Sequence, residues 1–175
     1  MASAIACGIV SQKLFNSEQI IASATTDATL AAFNKACGAT TTTDNKRLAN
    51  EARVLILGVK PQKAQEVCLE LNIPADTHVI SIAAGLKIAT LKKWLKHDKI
   101  SRVMPNTPLM VGRGASAYCS DESVSAAEQQ EIESIFGCAG VIHRVEENDI
   151  DAVTGVSGSG PAYVFEFIQA LANAG

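Results

Sequence analysis

The run Arg53-Val-Leu-Ile-Leu-Gly-Val59 constrains this chain more than any other stretch. Taken as a strand, its near-continuous apolar residues leave no face to give to water, so it has to be buried on both sides, as in a parallel sheet covered by helices. Pro61 follows at once, at a position suited to the first turn of a helix. Ala64, Val67, Cys68 and Leu71 then recur at the i, i+3, i+4, i+7 spacing of an amphipathic helix. The same alternation extends along the chain. "QIIAS" (19–23), "THVISIAAG" (77–85) and "ISRVM" (100–104) read as further strands. Ile88, Leu91 and Leu95 mark another helix, and Ser125-Ala-Ala-Glu128 opens one as a capping box that carries Ile132, Ile135 and Phe136 inward. The order predicts right-handed βαβ units and an α/β fold with a doubly wound parallel sheet. Such folds open with a buried strand and a glycine-rich turn. This chain opens with a helix whose apolar side is Ala2, Ile5 and Ile9.

A length of 175 residues suits one domain with part of a second, and 47% hydrophobic against 19% charged residues is a globular balance. A net charge of −3 argues against nucleic acid as a partner. The five cysteines form no C-x-x-C pair and the histidines are scattered, which argues against a metal site. An odd number of thiols inside apolar segments fits free cysteines and a reducing, cytoplasmic setting. No basic region precedes the apolar opening, so it reads as helix rather than signal. No apolar run is long enough to span a bilayer.

Four strings, "LGVKPQ" (57–62), "SIAAG" (81–85), "RVMPNTP" (102–108) and "DAVTGVSGSGPAYVFEFIQALANAG" (151–175), together resemble the pyrroline-5-carboxylate reductase family in order and separation along nearly the whole chain. The resemblance implies a Rossmann-like NAD(P)-binding domain over 1–152 and the start of a helical dimerisation domain over 153–175. It further implies NADPH (or NADH) as cofactor, reduction of a cyclic imine to L-proline, and a homo-oligomer. It also implies that the doubly wound sheet of this chain lacks the family's first strand and its glycine turn, whose end Met1-Ala2 matches, and that the family's S-P-G-G-T-like substrate segment has no counterpart in these residues.

By this resemblance Gly58, Val59, Lys60 and Pro61 border the cofactor, at the carboxyl end of a strand where open α/β sheets bind ligands. A plain strand exit into a helix is the other reading. Ile82, Ala83 and Ala84 occupy a similar strand end, their small side chains letting a flat ring approach, although close helix packing at Gly85 explains them too. Asn45 aligns with a residue on the adenosine side of the cofactor, and after Asp44 it equally suits a helix start. Ser23, Thr25 and Thr26 sit where NAD and NADP are told apart. Hydroxyl groups there lean to NADP, while Asp27 is free to cap a helix and no Lys or Arg stands beside them in sequence. Asn106, between Pro105 and Pro108, either presents its amide near the nicotinamide or shapes a turn.

Ser157, Gly158, Ser159 and Gly160 lie too late to be a Rossmann phosphate loop. They read as a sharp turn in which Pro161 starts a helix that Ser157 or Ser159 caps, its positive end near the substrate carboxylate, or as a simple hinge. Glu146, Glu147, Asp149 and Asp151 read as a solvated hinge, and His78, His97 and His143 as packing or surface residues. Imine reduction needs a held dihydronicotinamide and a protonated imine more than an acid–base pair, which agrees with the absence of a His/Asp or paired-carboxylate constellation. No catalytic side chain is assigned. On the last helix Tyr163, Val164, Phe165, Phe167, Ile168 and Leu171 cover all but a stripe of Glu166, Gln169 and Asn173. This leaves a second possibility, a catalytically silent module that associates with intact subunits.

Overall fold

A computed structural model describes residues 1–175. Helix α1 (Ala2–Ser11) is followed by β1 (Ile21–Ser23), α2 (Asp27–Cys37), β2 (Thr40–Thr42), α3 (Asn45–Glu51), β3 (Val54–Leu57), α4 (Pro61–Glu70), β4 (His78–Ser81), α5 (Ile88–Leu95) and β5 (Ile100–Met104). The order continues with β6 (Gly114–Ser120), α6 (Ala126–Gly137), β7 (Gly140–Arg144), α7 (Ile150–Val153) and α8 (Gly160–Ala174).

Strand and helix alternate as the apolar pattern predicts, but the sheet is neither single nor wholly parallel. The strands β3-β4-β5-β6-β7 form one sheet, β1 and β2 pair in another, and no ladder joins β1 to β3. Pairs β3/β4, β4/β5 and β6/β7 are parallel, whereas β5/β6 is antiparallel. The reversal follows from chain length. Only residues 105–113 separate β5 from β6, with a 3₁₀ turn at Thr107–Val111, and a parallel return needs a crossover of a dozen or more residues.

Helices cover both faces. On one, Leu55, Leu57, Val79, Ile100 and Cys119 pack with Ala49, Cys68, Ile88, Leu91 and Leu95 of α3 to α5. On the other, Ile80, Val103 and Tyr118 pack with Ile5 and Ile9 of α1 and Ile132, Ile135 and Phe136 of α6. Val54 and Ile56 are only half-buried, a departure from the expected double burial, because β3 has a strand on one side only. Ala2 is likewise exposed, while Ala6 takes the inward place beside Ile5 and Ile9. Strand β4 stops at Ser81, short of the expected 85, and Gly85 turns the chain at φ +75°. Residues 17–19 form a 3₁₀ turn, so β1 starts at Ile21 rather than Gln19.

The Ser157–Gly160 stretch is not a sharp turn. The chain passes from α7 through a π-helical turn at Thr154–Gly158 straight into α8, and neither Ser157 nor Ser159 supplies a side-chain cap. The Ser159 amide donates to the Thr154 carbonyl at 2.8 Å. The backbone donors before α8 are thus partly consumed within the turn, and the expected free positive end is not built.

Candidate functional site

Register aligns the strand exits. Leu57 of β3 stands opposite Ser81 of β4, and Ser81 opposite Arg102 of β5. Gly58, Ile82 and the turn after Met104 therefore leave the sheet along one edge, the carboxyl edge where open α/β sheets bind ligands. Gly58 is exposed, and a Cβ there would sit 3.3 Å from the Ala2 Cβ, so the first turn of α1 lies against this exit. Lys60 is exposed at the start of α4, and Val59 and Pro61 are half-buried beside it.

On the neighbouring exit the Ile82 amide donates to the Leu57 carbonyl at 3.2 Å, which continues the ladder one step past the strand. Ala83 is buried, with its amide donating to Ser81 Oγ at 3.3 Å, and Ala84 is exposed. Small side chains keep this part of the edge open. Apart from Lys60, none of the side chains at the three exits ionises.

Asn106 is buried, and both ends of its amide are engaged. Its Oδ1 accepts from the Ala115 amide at 2.9 Å, and its Nδ2 donates to Ser157 Oγ at 3.1 Å. Ser157 Oγ in turn donates to the Ala115 carbonyl at 3.4 Å. The stiff Pro105-Asn106 turn thus pins the π turn to the edge of the sheet. Gly158 lies against the end of the Met104 side chain, where an added Cβ would come within 2.9 Å of Cε and shift that flexible group.

Ser23 and Asn45 meet at the ends of β1 and β2. The Ser23 hydroxyl donates to Asn45 Oδ1 at 2.7 Å, and Asp44 caps α3 by accepting from the Lys46 and Arg47 amides, each at 3.0 Å. Asn45 is thus the first residue of α3, the helix start that is its other reading. Lys46 and Arg47 put basic charge next to Asn45, although none stands beside Ser23 in sequence. Asp27 lies inside the first turn of α2, whose cap is Thr26, accepting from the Thr29 amide at 3.3 Å.

Residues 147–175 match the family described as pyrroline-5-carboxylate reductase dimerisation, and residues 1–85 match NADP oxidoreductase coenzyme F420-dependent. The pyrroline-5-carboxylate reductase of Pisum sativum is 35% identical over all of this chain and 64% of its own length. That of Coxiella burnetii superposes with a TM-score of 0.87 at 33% identity, covering 99% of this chain and 66% of that one. The chain belongs to the pyrroline-5-carboxylate reductase family. It spans roughly two thirds of the length of these reductases. A further reductase structure, from Plasmodium falciparum with NADP bound, superposes at a TM-score of 0.83 and 32% identity, covering 98% of this chain and 64% of that one.

One feature of this reductase-family chain has no signal in its spacing. Arg102, in the middle of β5, is buried, and its Nη1 donates to Glu147 Oε1 at 2.9 Å, with Asp151 Oδ1 3.6 Å from Nη2. Glu147 Oε1 also accepts from the Ile88 amide at 2.7 Å, at the start of α5. Glu147 is therefore no solvated hinge residue but a tie between sheet, α5 and the segment leading to α8. Glu146 and Asp149 are exposed, as read.

His78 and His97 are buried on the opposite edge of the sheet. His78 Nε2 and Ser101 Oγ share a hydrogen bond of 2.9 Å, Ser101 and Ser120 one of 2.7 Å, and His97 Nε2 donates to the Thr77 carbonyl at 2.7 Å. They are packing residues. No group of three metal-binding side chains converges anywhere, and no helix is long and apolar enough to cross a membrane.

Proposed function

We propose that the arrangement serves NADPH-dependent reduction of 1-pyrroline-5-carboxylate to L-proline. The observation that carries this reading is the alignment of the Gly58, Ile82 and Asn106 exits along one edge, in a chain similar over its length to reductases of that name. Residues 1–152 are the cofactor-binding part and 153–175 the start of a dimerisation part. Gly58, Val59, Lys60 and Pro61 line the cofactor's path, with Ala83 and Ala84 leaving room for a flat ring and Ile82 supporting it. Ser23 and Asn45 hold the adenosine end. Lys46 beside them favours the extra phosphate of NADP, a preference in keeping with the NADP bound in the Plasmodium falciparum reductase.

When bound, the dihydronicotinamide supplies a hydride to the imine carbon. The protein's task is placement and exclusion of water rather than proton transfer, consistent with an edge that carries Lys60 alone as an ionising group. Asn106, with both amide ends engaged, acts by fixing Ser157. The Ser157 hydroxyl, with the small residues Gly158, Ser159 and Gly160 beside it, forms the substrate end.

Titrating the chain with NADPH and following nicotinamide fluorescence tests the reading. Saturable binding, weakened by Gly58→Leu with folding intact by circular dichroism, is the expected result, together with imine-dependent NADPH consumption. Absence of saturation removes it. One observation favours a second reading, that of a silent association module: Tyr163, Val164, Phe165, Phe167, Ile168 and Leu171 of α8 are exposed. Co-purification with a full-length reductase, without NADPH binding by the chain alone, supports that alternative.

A further inference from the structure

Helix α1 touches both parts of the divided sheet, packing on α6 through one face and on α2 through another. At the second contact two cysteines meet. Cys37 is buried at the last position of α2, and Cys7, in the second turn of α1, places its Sγ 3.5 Å from the carbonyl of Ala36, the residue before Cys37. Both belong to one small cluster with Ala6, Ala39, Val10 and Phe33. Cys7 is half-exposed and lines a hollow of about 450 Å³ with Ser3, Gly8, Met110 and Cys138. A small disulfide reagent therefore has a route to Cys7 that it lacks to Cys37.

We infer that Cys7 and Cys37 form a thiol–disulfide exchange site, at which a low-molecular-weight disulfide such as oxidised glutathione closes a covalent link between α1 and α2. The Cys7 thiolate attacks one glutathione sulfur, forming the mixed disulfide and expelling a glutathione thiolate. The Cys37 thiolate then attacks the Cys7 sulfur, which forms the Cys7–Cys37 bond and expels the second glutathione. Two protein thiols are oxidised, one glutathione disulfide is reduced, and the two protons pass to the two departing thiolates. The link joins residues 7 and 37 across β1 and α2, stapling to α1 the β1–β2 unit that no strand ladder ties to β3.

Burial, then the charge and hydrogen bond of Cys37, raise the Cys7 thiol above the ordinary range, so exchange is slow at neutral pH and speeds up as pH rises. Cys68 and Cys119 are fully in the core, where burial pushes each thiol up to about 11, and they stay unreacted while the chain is folded.

The test is incubation of the reduced chain with oxidised glutathione at mildly alkaline pH, followed by non-reducing peptide mass spectrometry. The expected product has lost two hydrogens, carries no glutathione, links Cys7 to Cys37, and unfolds at a higher temperature than the reduced chain. Cys37→Ala, checked for folding by circular dichroism, should retain one glutathione on Cys7 and gain no thermal stability. A persistent Cys7 adduct in the unsubstituted chain overturns the inference. So does a Cys7–Cys138 link, or modification of Cys68 and Cys119 at the same rate as Cys7.

Discussion

Arg102 sets the residue-scale energetics because its charge has almost no access to water. Its side chain is 4% exposed, against 31% for Glu147 and 70% for Asp151, so the two carboxylates do unequal work. Removing Glu147 leaves a buried guanidinium without its close partner and frees the Ile88 amide as well, whereas Asp151 sits in water. Glu147→Ala should cost about 3 kcal/mol and Asp151→Asn under ~1 kcal/mol, measured by urea unfolding; equal losses would contradict this ranking. Asn106→Ala strands the Ala115 amide and lets Ser157 go, for a loss of about 1–3 kcal/mol. Asn106→Asp keeps the Oδ1 acceptor and should recover part of it. Neither tie was legible in the sequence. An arginine inside an apolar strand and an acidic cluster some 45 positions later have no fixed spacing, and only the folded chain brings them to 2.9 Å.

Elements with local grammar were the readable ones. The capping box at α6 is present as spelled: Ser125 Oγ accepts from the Glu128 amide at 3.3 Å, and Glu128 Oε2 accepts from the Ser125 amide at 2.8 Å. Apolar spacing likewise located α4, α5 and the full length of β5. Strands β2, β6 and β7 escaped for physical reasons. Strand β2 is an all-threonine edge, β6 opens on Gly114 because a Cβ there would fall 2.9 Å from the Leu109 Cβ and 3.0 Å from the Ala139 carbonyl oxygen, and β7 opens on Gly140 because a Cβ there would run into the Gly114 backbone. Ser125→Ala should cost ~1 kcal/mol of stability. Burial alone would raise the Glu128 carboxyl, but hydrogen bonds from Ser125 and Lys99 outweigh it and hold the group at about 2. A carboxyl depressed from its ordinary 4.5 contributes stability that is complete above that value and lost as pH falls towards 2. Burial also lowers His78 against the pull of Glu128 and Glu131, so the unfolded chain takes up that proton first and stability already declines as pH falls through 6.5. Acid titration of unfolding should therefore show two declining windows, the lower one flattened in Ser125→Ala.

At the scale of the molecule, the sheet's two parts and the last helix raise the same question of unsatisfied surface. The succession of β3, β4 and β5 with their helices followed from the apolar pattern, but the antiparallel β6 and the division of the sheet did not, since pairing of β1 is a property of neighbours rather than of "QIIAS" itself. Helix α8 behaves as its composition predicts: Tyr163, Val164, Phe165, Phe167, Ile168 and Leu171 are each between 55% and 66% exposed. Such a patch drives association through apolar burial, which salt does not screen. In sedimentation velocity the chain should shift to larger species with rising concentration, and equally so at high salt. Phe165→Glu with Phe167→Glu should abolish the shift while changing folding stability by less than ~0.5 kcal/mol per site, because exposed positions contribute little to the fold. A chain that stays monomeric across the range, or a double variant that associates as before, would locate the adhesive surface elsewhere than α8.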